Sequence, residues 1–439
     1  MEKEQGQAPI SSYSWQWYGS LGVLVSAGVV GGIYRAWQGL AVTHLSSYTP
    51  WGLWVALYIY FVGLSAGAFL LSSLVYVFGQ ERFERIGRQA LWVAVVSMVV
   101  ALTFILLDLG HMERFWVSLR FWKLTSVLSW EVHFYIVYVV LLLTELYHSM
   151  RRDLVLRRQA PGIRGLLARY LTWQDEEISP AAQARDRQHL RRLGMIGIPL
   201  AVLGVHGGTG TLFAVVKARP YWNTAVFPII FVLSALVSGT ALLLVGYVLE
   251  RRRRRLSADL DMVQGLARLM ATFILLDLGL EFYEILIPAY SLRSEEMASL
   301  KTLFLGSLAP YFWIGQIWLG NITPLILVFS SRTGRSLRAL TWAGILVVLG
   351  IVAVRINIVL PPLLQPVLPG LPAGAYFPSP VEVITSVGVI ALGLLLYTLG
   401  NSLLPLEVSE ADHKVTDPTR LPDSFPTKAA AIEGVGHGE

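Results

Sequence analysis

The octapeptide TFILLDLG occurs twice, at residues 103–110 and 272–279, and each copy closes an apolar run on an aspartate, a leucine and a glycine. An ionised carboxylate near the middle of a bilayer costs about 2.5–3.5 kcal/mol on insertion scales, so Asp108 and Asp277 are expected to have a task. Near Asp108 in the chain stand His111, Arg114, Glu131 and His133. An imidazole beside carboxylates can move protons near neutral pH, because small shifts carry its pKa across that range. The plainer alternative for Asp108 is an interfacial aspartate in a last helical turn with Gly110 as C-cap, and surface pairing explains Arg114 equally well.

Asp277 is followed by Glu281 and Glu284, and steps of four and three residues set all three on one helix face. Such a stripe suits a proton path or an ion network, with Arg355, Asn357, Asn321 and Gln316 as potential partners. His206, in GVHGGTG, sits among glycines that let a backbone or a flat ligand approach closely. A haem b needs two histidines facing each other at one depth. Besides His206, only His133 and His148 fall in apolar helical runs, near opposite ends of one of them, so neither haem nor metal is expected. The chain has no cysteine, which excludes thiolate-held iron–sulfur clusters and disulfides.

The elements that must position these groups follow from composition. Hydrophobic residues make up 54% and charged residues 15%, against about 25% charged in soluble proteins. Ten apolar stretches approach the roughly 20 residues that a spanning helix needs: 18–37, 52–78, 90–110, 131–148, 193–216, 224–249, 263–288, 309–330, 339–360 and 380–404. The expected fold is an all-α integral membrane protein of ten transmembrane helices. The loops after even-numbered helices hold 21 Lys and Arg, those after odd-numbered helices 7. The positive-inside rule then puts both termini and the RRRRR run (251–255) in the cytoplasm. The pI of 9.4 reflects these topology determinants, and no nucleic acid is expected. No cleavable leader is expected either, and the polar, Pro-rich tail from 405 to 439 reads as disordered.

Two further marks repeat beside the octapeptide. SAGAFLL (65–71) resembles SGTALLL (238–244), and Trp51 and Trp222 each stand just before a helix. Three matches in order at nearly one offset predict a duplicated four-helix bundle. Both octapeptides leave the membrane the same way, so the repeat is parallel. The expected organisation is an N-terminal extra helix (1–49), a first bundle (50–218), a second bundle (219–362), a last helix (363–404) and the tail.

Three segments, WGLWVALYIYFVGLSAGAFLLSSLVYVF, LLDLGHMERFW and SWEVHFYIVY, together with the later VHGGTGTLFAVVKARPYWNTAVFPIIFVLSALVSG (205–239), resemble the NrfD/PsrC family of quinone-reacting membrane subunits. The resemblance covers about 50 to 360 and is nearest to the ten-helix branch of the hydrogenase anchor HybB. It implies a membrane anchor of a respiratory oxidoreductase complex in a bacterial or archaeal plasma membrane. Such a subunit binds menaquinone or ubiquinone at the outer end of the first bundle. It exchanges electrons with a ferredoxin-like iron–sulfur subunit on the outer face, beside a catalytic subunit. Some members carry a histidine in the opening helix of the first bundle; here YIYFVGLSAG offers Tyr58, Tyr60 and Ser65.

The residues expected at the quinone are therefore Tyr58, Asp108, His111, Glu131, His133 and His206. Asp277, Glu281, Glu284, Asn321 and Arg355 are expected to transfer protons. Asp108→Asn is expected to harm quinone chemistry more than Asp277→Asn. The competing expectation is a secondary transporter or proton-conducting protein. Against it, no pair of short, Pro/Gly-interrupted helices stands in matching positions.

Overall fold

The structure, a computed structural model, describes residues 13–406 apart from 81, 82, 174, 292, 293 and 369. The tail expected to be disordered lies outside the described residues from 407 onward. Every regular element among the described residues is helical. In chain order the long helices are α1 (Trp15–Gln38), α2 (Leu53–Tyr76), α3 (Glu84–Asp108), α4 (Val127–Leu156) and α5 (Pro180–Ala214). They continue with α6 (Phe227–Arg253), α7 (Leu260–Ser291), α8 (Tyr311–Phe329), α9 (Leu337–Leu363) and α10 (Pro380–Leu403). Each of the ten apolar stretches falls on one of these helices. Among the described residues nine of the helices are long and apolar enough to cross a membrane; α7, which carries Asp261, Asp277, Glu281 and Glu284, is not among them.

Serines start several of these helices by occupying orphan backbone donors. Ser126 opens α4, Ser179 opens α5 ahead of Pro180, and Ser336 opens α9. Ser379 and Glu382 form a reciprocal capping box at α10. Two helices contain π-helical segments, Leu200–His206 in α5 and Tyr311–Ile322 in α8. The extra residue per turn rotates the rest of the helix, and such segments often stand at functional positions.

The segment between α4 and α5 is more helical than its charge suggests. α4 continues to Leu156, a helix spans Ile163–Thr172, and α5 begins at Pro180. The apolar runs end earlier because these extra turns carry charge. They are held by Arg151, whose Nε donates to Asp186 Oδ2 at 2.7 Å and whose Nη1 reaches both oxygens of Asp175 at 3.1 Å.

Helices α2 and α6 form the centre. α2 packs along α3, α5, α6 and α9, while α6 packs along α2, α7, α9 and the end of α5. The two cross where Gly67 meets Gly239. A Cβ on Gly67 would run into the Ala235 carbonyl, and one on Gly239 into the Gly67 backbone. Small residues allow this approach, which gains van der Waals contact where lipid offers no hydrophobic drive. Gly28 meets Gly388 between α1 and α10, and Gly320 meets Gly350 between α8 and α9, in the same way.

The contacts at the two ends show that successive helices alternate in direction. At one end Arg85 pairs with Asp259 at 3.6 Å, Arg88 pairs with Asp153, and Arg164 Nε donates to Ser402 O at 3.0 Å. Glu250 accepts from Arg253 and Arg254 there. At the opposite end the rings of Trp51 and Trp222 lie 5.5 Å apart, and Trp222 Nε1 donates to Ile358 O at 2.7 Å. Arg219 Nη1 donates to Pro362 O and Gln365 O, covering the carbonyl end of α9. Asp108, Glu131, His206, Asp277 and Arg355 all lie toward this second end.

Candidate functional site

Glu131 enters the protein one turn into α4. Tyr135 and Tyr138 follow at steps of four and three, so the three share the inward face. Trp130, Phe134, Ile136 and Val137 fall on the other faces and are exposed on the protein surface. Tyr58 of α2 donates to Glu131 Oε1 at 2.7 Å, and Tyr135 donates to the same oxygen at 2.6 Å. The two phenol oxygens are 2.5 Å apart, and Tyr135 also meets Thr209 Oγ1 of α5 at 2.8 Å. All four side chains are buried. One carboxylate oxygen is thus held by two phenols. The other, Oε2, is buried with no hydrogen-bond partner.

His206 lies three residues before Thr209, deeper in the bundle. Neither of its ring nitrogens makes a well-formed hydrogen bond, and the residue is 1% exposed. Its ring packs 5.4 Å from that of Phe231. Gly63 of α2 makes room for it: a Cβ there would stand 3.2 Å from His206 Nε2 and 3.3 Å from Arg355 Nη2.

Arg355 therefore joins this first group to a second. Its Nη2 donates to Ser234 Oγ at 2.9 Å, while Nε and Nη1 are buried without partners. Asp277 and Glu281 supply opposite charge nearby. Glu281 Oε1 accepts from Gln316 Nε2 at 3.0 Å, and Gln316 Oε1 accepts from Asn357 Nδ2 at 2.8 Å. Glu284 acts on Asp277 electrostatically and is half-buried. Asn321 is buried on α8 five residues after Gln316. The proton-transfer residues expected from sequence are thus largely gathered, with His206 placed beside them.

The other expected cluster separates. Asp108 has Arg35 and Glu382 as its electrostatic neighbours, at the junction of α3 with α1 and α10. Arg35 Nη2 donates to Leu109 O. Glu382 is occupied by Tyr376, by Ser379 N and by His44 N. His111 is exposed and its Nδ1 lies 2.9 Å from Glu113 Oε1; Arg114 is exposed beside them. His133 Nδ1 lies 2.7 Å from Ser129 O, and its ring stacks on Trp122 at 4.8 Å. The physical reason is helical rotation: a two-residue step turns a side chain by about 200°, so His133 points away from Glu131.

Sequence reasoning missed Tyr135, Thr209, Ser234 and Gly63. The step of four from Glu131 to Tyr135 was the available signal. Thr209 and Gly63 carry none until α2 and α5 are packed.

At the arginine-rich end the structure assembles another group. Ligand atoms of His148, Asp186 and His189 lie within 4.8 Å of one another, with His148 Nδ1 3.0 Å from Asp186 Oδ1. Arg151 already neutralises Asp186, which makes this a poor cation site.

Comparison with known proteins identifies the family. The family described as Polysulphide reductase, NrfD matches residues 41–366. The C subunit of the selenate reductase of Mesobacillus selenatarsenatis is 40% identical over 400 residues, covering 88% of this chain and 93% of that protein. A putative dimethyl sulfoxide reductase membrane subunit of Halobacterium salinarum is 28% identical, covering 90% and 92%. An Hdr-like menaquinol oxidoreductase integral membrane subunit of Archaeoglobus fulgidus is 27% identical, covering 86% and 90%. The chain is a multi-pass membrane protein that belongs to the NrfD family, the quinone-linked membrane subunits of the polysulphide reductase type.

Proposed function

We propose that this chain exchanges electrons and protons between a membrane quinone and an iron–sulfur partner, as the membrane subunit of an oxidoreductase complex. The observation that carries the reading is Glu131, with Oε1 fixed by two phenols and Oε2 buried and unpartnered. A quinone takes up or releases two electrons and two protons, so one of its oxygens needs a titratable group within hydrogen-bond reach. Glu131 Oε2 supplies that group. Tyr58 and Tyr135 hold the carboxylate in one orientation and stabilise its charged form by donating to it. His206 extends the polar wall inward, and the apolar sides of α2, α4 and α5 suit an isoprenoid tail. Asp108 takes no part at the quinone; its company on α1 and α10 supports a positioning role. The family assignment favours this reading over a transporter.

The wider organisation fits the same reading. Ten spanning helices, α7 included, place both termini and the arginine-rich end in the cytoplasm and Glu131 near the outer face. Helices α2–α5 and α6–α9 form two parallel bundles, supported by the matching contacts of α2 with α3 and α5 and of α6 with α7 and α9. The first bundle (50–218) holds the quinone. The second (219–362) holds Asp277, Glu281, Glu284 and Arg355 as proton-handling groups. The partners are an iron–sulfur subunit and a catalytic subunit on the outer face. The test is binding: the purified chain in detergent should quench its tryptophan fluorescence on titration with a menaquinol analogue. Glu131→Gln with Tyr135→Phe should weaken that binding at least tenfold, and unchanged binding would refute the site.

A further inference from the structure

At the arginine-rich end, away from Glu131, a cavity of about 130 Å³ opens between α7 and the turn that joins α8 to α9. The groups that decide its chemistry are Gln264 and Arg268 on α7, Ser330 and Ser331 at the end of α8, and Arg335 in the turn. Its charged lining consists of the two arginines, with no carboxylate. Among the described residues neither guanidinium has a hydrogen-bond or ion-pair partner. The turn keeps its shape by other bonds. Thr333 Oγ1 donates to Leu327 O and Gly334 N to Ser330 O, each at 2.8 Å, and Gln264 Nε2 donates to Gly334 O at 2.9 Å. These bonds tie the turn to α7 and leave Arg268 and Arg335 on the walls of one space.

Such an arrangement calls for an anion. Arg268 stands eight residues beyond Leu260, about 12 Å along α7, and is exposed on the surface of the bundle. A guanidinium facing hydrocarbon is costly, and one near a helix end turns its head toward the interface. Membrane topology requires positive charge in the loops but is not served by two guanidiniums in one cavity, where like charges repel. A phosphate between them removes the repulsion and gives both arginines an acceptor. At about 30 Å³ per water the cavity holds roughly four waters, a space that one phosphate group fits.

An exposed apolar track leads away from the cavity. Thr272 and Leu275 follow Arg268 at steps of four and three, on the same face of α7. Ile326 and Phe329, one turn apart on α8, are exposed, as Leu275 is. α7 packs against these last turns of α8, so the track runs from the cavity toward the middle of the bilayer. A soluble anion would leave the track uncovered. A zwitterionic headgroup would bring an ammonium that meets no carboxylate in the lining.

We propose that this cavity is a headgroup site for an anionic phospholipid of the cytoplasmic leaflet. The phosphate lies between Arg268 and Arg335 and accepts from Ser330 or Ser331, and one acyl chain follows Leu275, Ile326 and Phe329. The lipid clamps the start of α7 to the α8–α9 turn, which steadies the helix that carries Asp277 and Glu281. The inference goes beyond the quinone reading and stands independently of it.

The experiment uses the full-length chain, purified in a neutral detergent and stripped of lipid. Native mass spectrometry counts bound molecules as phosphatidylglycerol, phosphatidylcholine or inorganic phosphate is added. Wild-type protein should bind its first phosphatidylglycerol about twenty-fold more tightly than its first phosphatidylcholine, the increment of two arginines at an anionic headgroup. Arg268→Gln with Arg335→Gln should bring that ratio below about threefold. Arg191→Gln with Arg192→Gln removes the same charge from exposed positions on α5 and should leave the ratio unchanged. If the first double variant does not fold, Arg335→Gln alone, in a surface turn, should lower the ratio about fivefold. No preference in the wild type, a full preference without the two arginines, or an equal loss in the α5 control would overturn the site. Inorganic phosphate that displaces the lipid at equal concentration would make the occupant a soluble anion and overturn the lipid assignment.

Discussion

Arg355 and His206 approach the same spot on α2, each within 3.3 Å of where a Cβ on Gly63 would stand. This meeting point joins the polar groups of the first bundle to Asp277 and Glu281 of the second. It has a direct consequence for substitution. Gly63→Ala should be tolerated, because the far ends of two side chains can shift by a few tenths of an ångström. Gly63→Val should displace both and cost about 1–3 kcal/mol, the usual range for overpacking. Quinone-linked turnover of the normalised complex should then fall more than tenfold for valine and less than threefold for alanine. Equal effects would mean that the two side chains do not meet there.

The crossing of Gly67 with Gly239 governs assembly instead. Backbone, not a movable side chain, occupies the place of each missing Cβ. Gly67→Leu or Gly239→Leu should therefore abolish monodisperse protein in detergent, where Gly110→Leu, with open space around it, should not. Size-exclusion profiles of the three variants decide this.

Arg355 and Asp277 should prove energetically coupled. Removing one charge leaves the other buried and uncompensated. Arg355→Met and Asp277→Asn should each lower the thermal midpoint in detergent, and the double variant should lose less than their sum. A coupling of about 0.5–3 kcal/mol is expected for interacting neighbours. Strict additivity would show that Arg355 is balanced by other groups.

Asp108 is the residue for which sequence and structure point in different directions. Proximity in the chain joined it with His111, Glu131 and His133, and the fold assigned it to Arg35 and Glu382 instead. Asp108→Asn should lower thermal stability by loosening α1 and α10, while turnover per assembled complex stays within about threefold of wild type, far from the 10²–10⁴-fold expected when a general acid–base group is lost. A hundredfold loss in normalised turnover would restore it to the quinone site.

How much of this was legible beforehand depended on the kind of signal. Long apolar runs placed the helices, because bilayer thickness leaves few alternatives. The charged turns of α4 and α5 were hidden, since their apolar runs stop at 148 and start at 193. Face assignment was the weaker step. Glu131 and His133 are two residues apart and look like partners, yet helical rotation separates them, whereas Glu131 and Tyr135 share a face. Gly63 and Thr209 depend wholly on packing between distant helices.

Membrane orientation has its own test. With 21 Lys and Arg in one set of loops and 7 in the other, a reporter fused after Glu439 should be active only in the cytoplasm. A reporter active only outside would reverse the assignment of the two ends and place Glu131 near the inner face.

The central claim is that Glu131 exchanges a proton with the quinone. The most direct measurement is quinone-linked turnover of the assembled complex carrying Glu131→Gln, normalised to dye-linked turnover of its catalytic partner. Glutamine keeps the size and the hydrogen bonds from Tyr58 but cannot titrate. Turnover should fall about 10²–10⁴-fold, the contribution of a positioned acid–base group, and Glu131→Asp should recover part of it. A Glu131→Gln complex that turns over quinone at the wild-type rate would contradict the account.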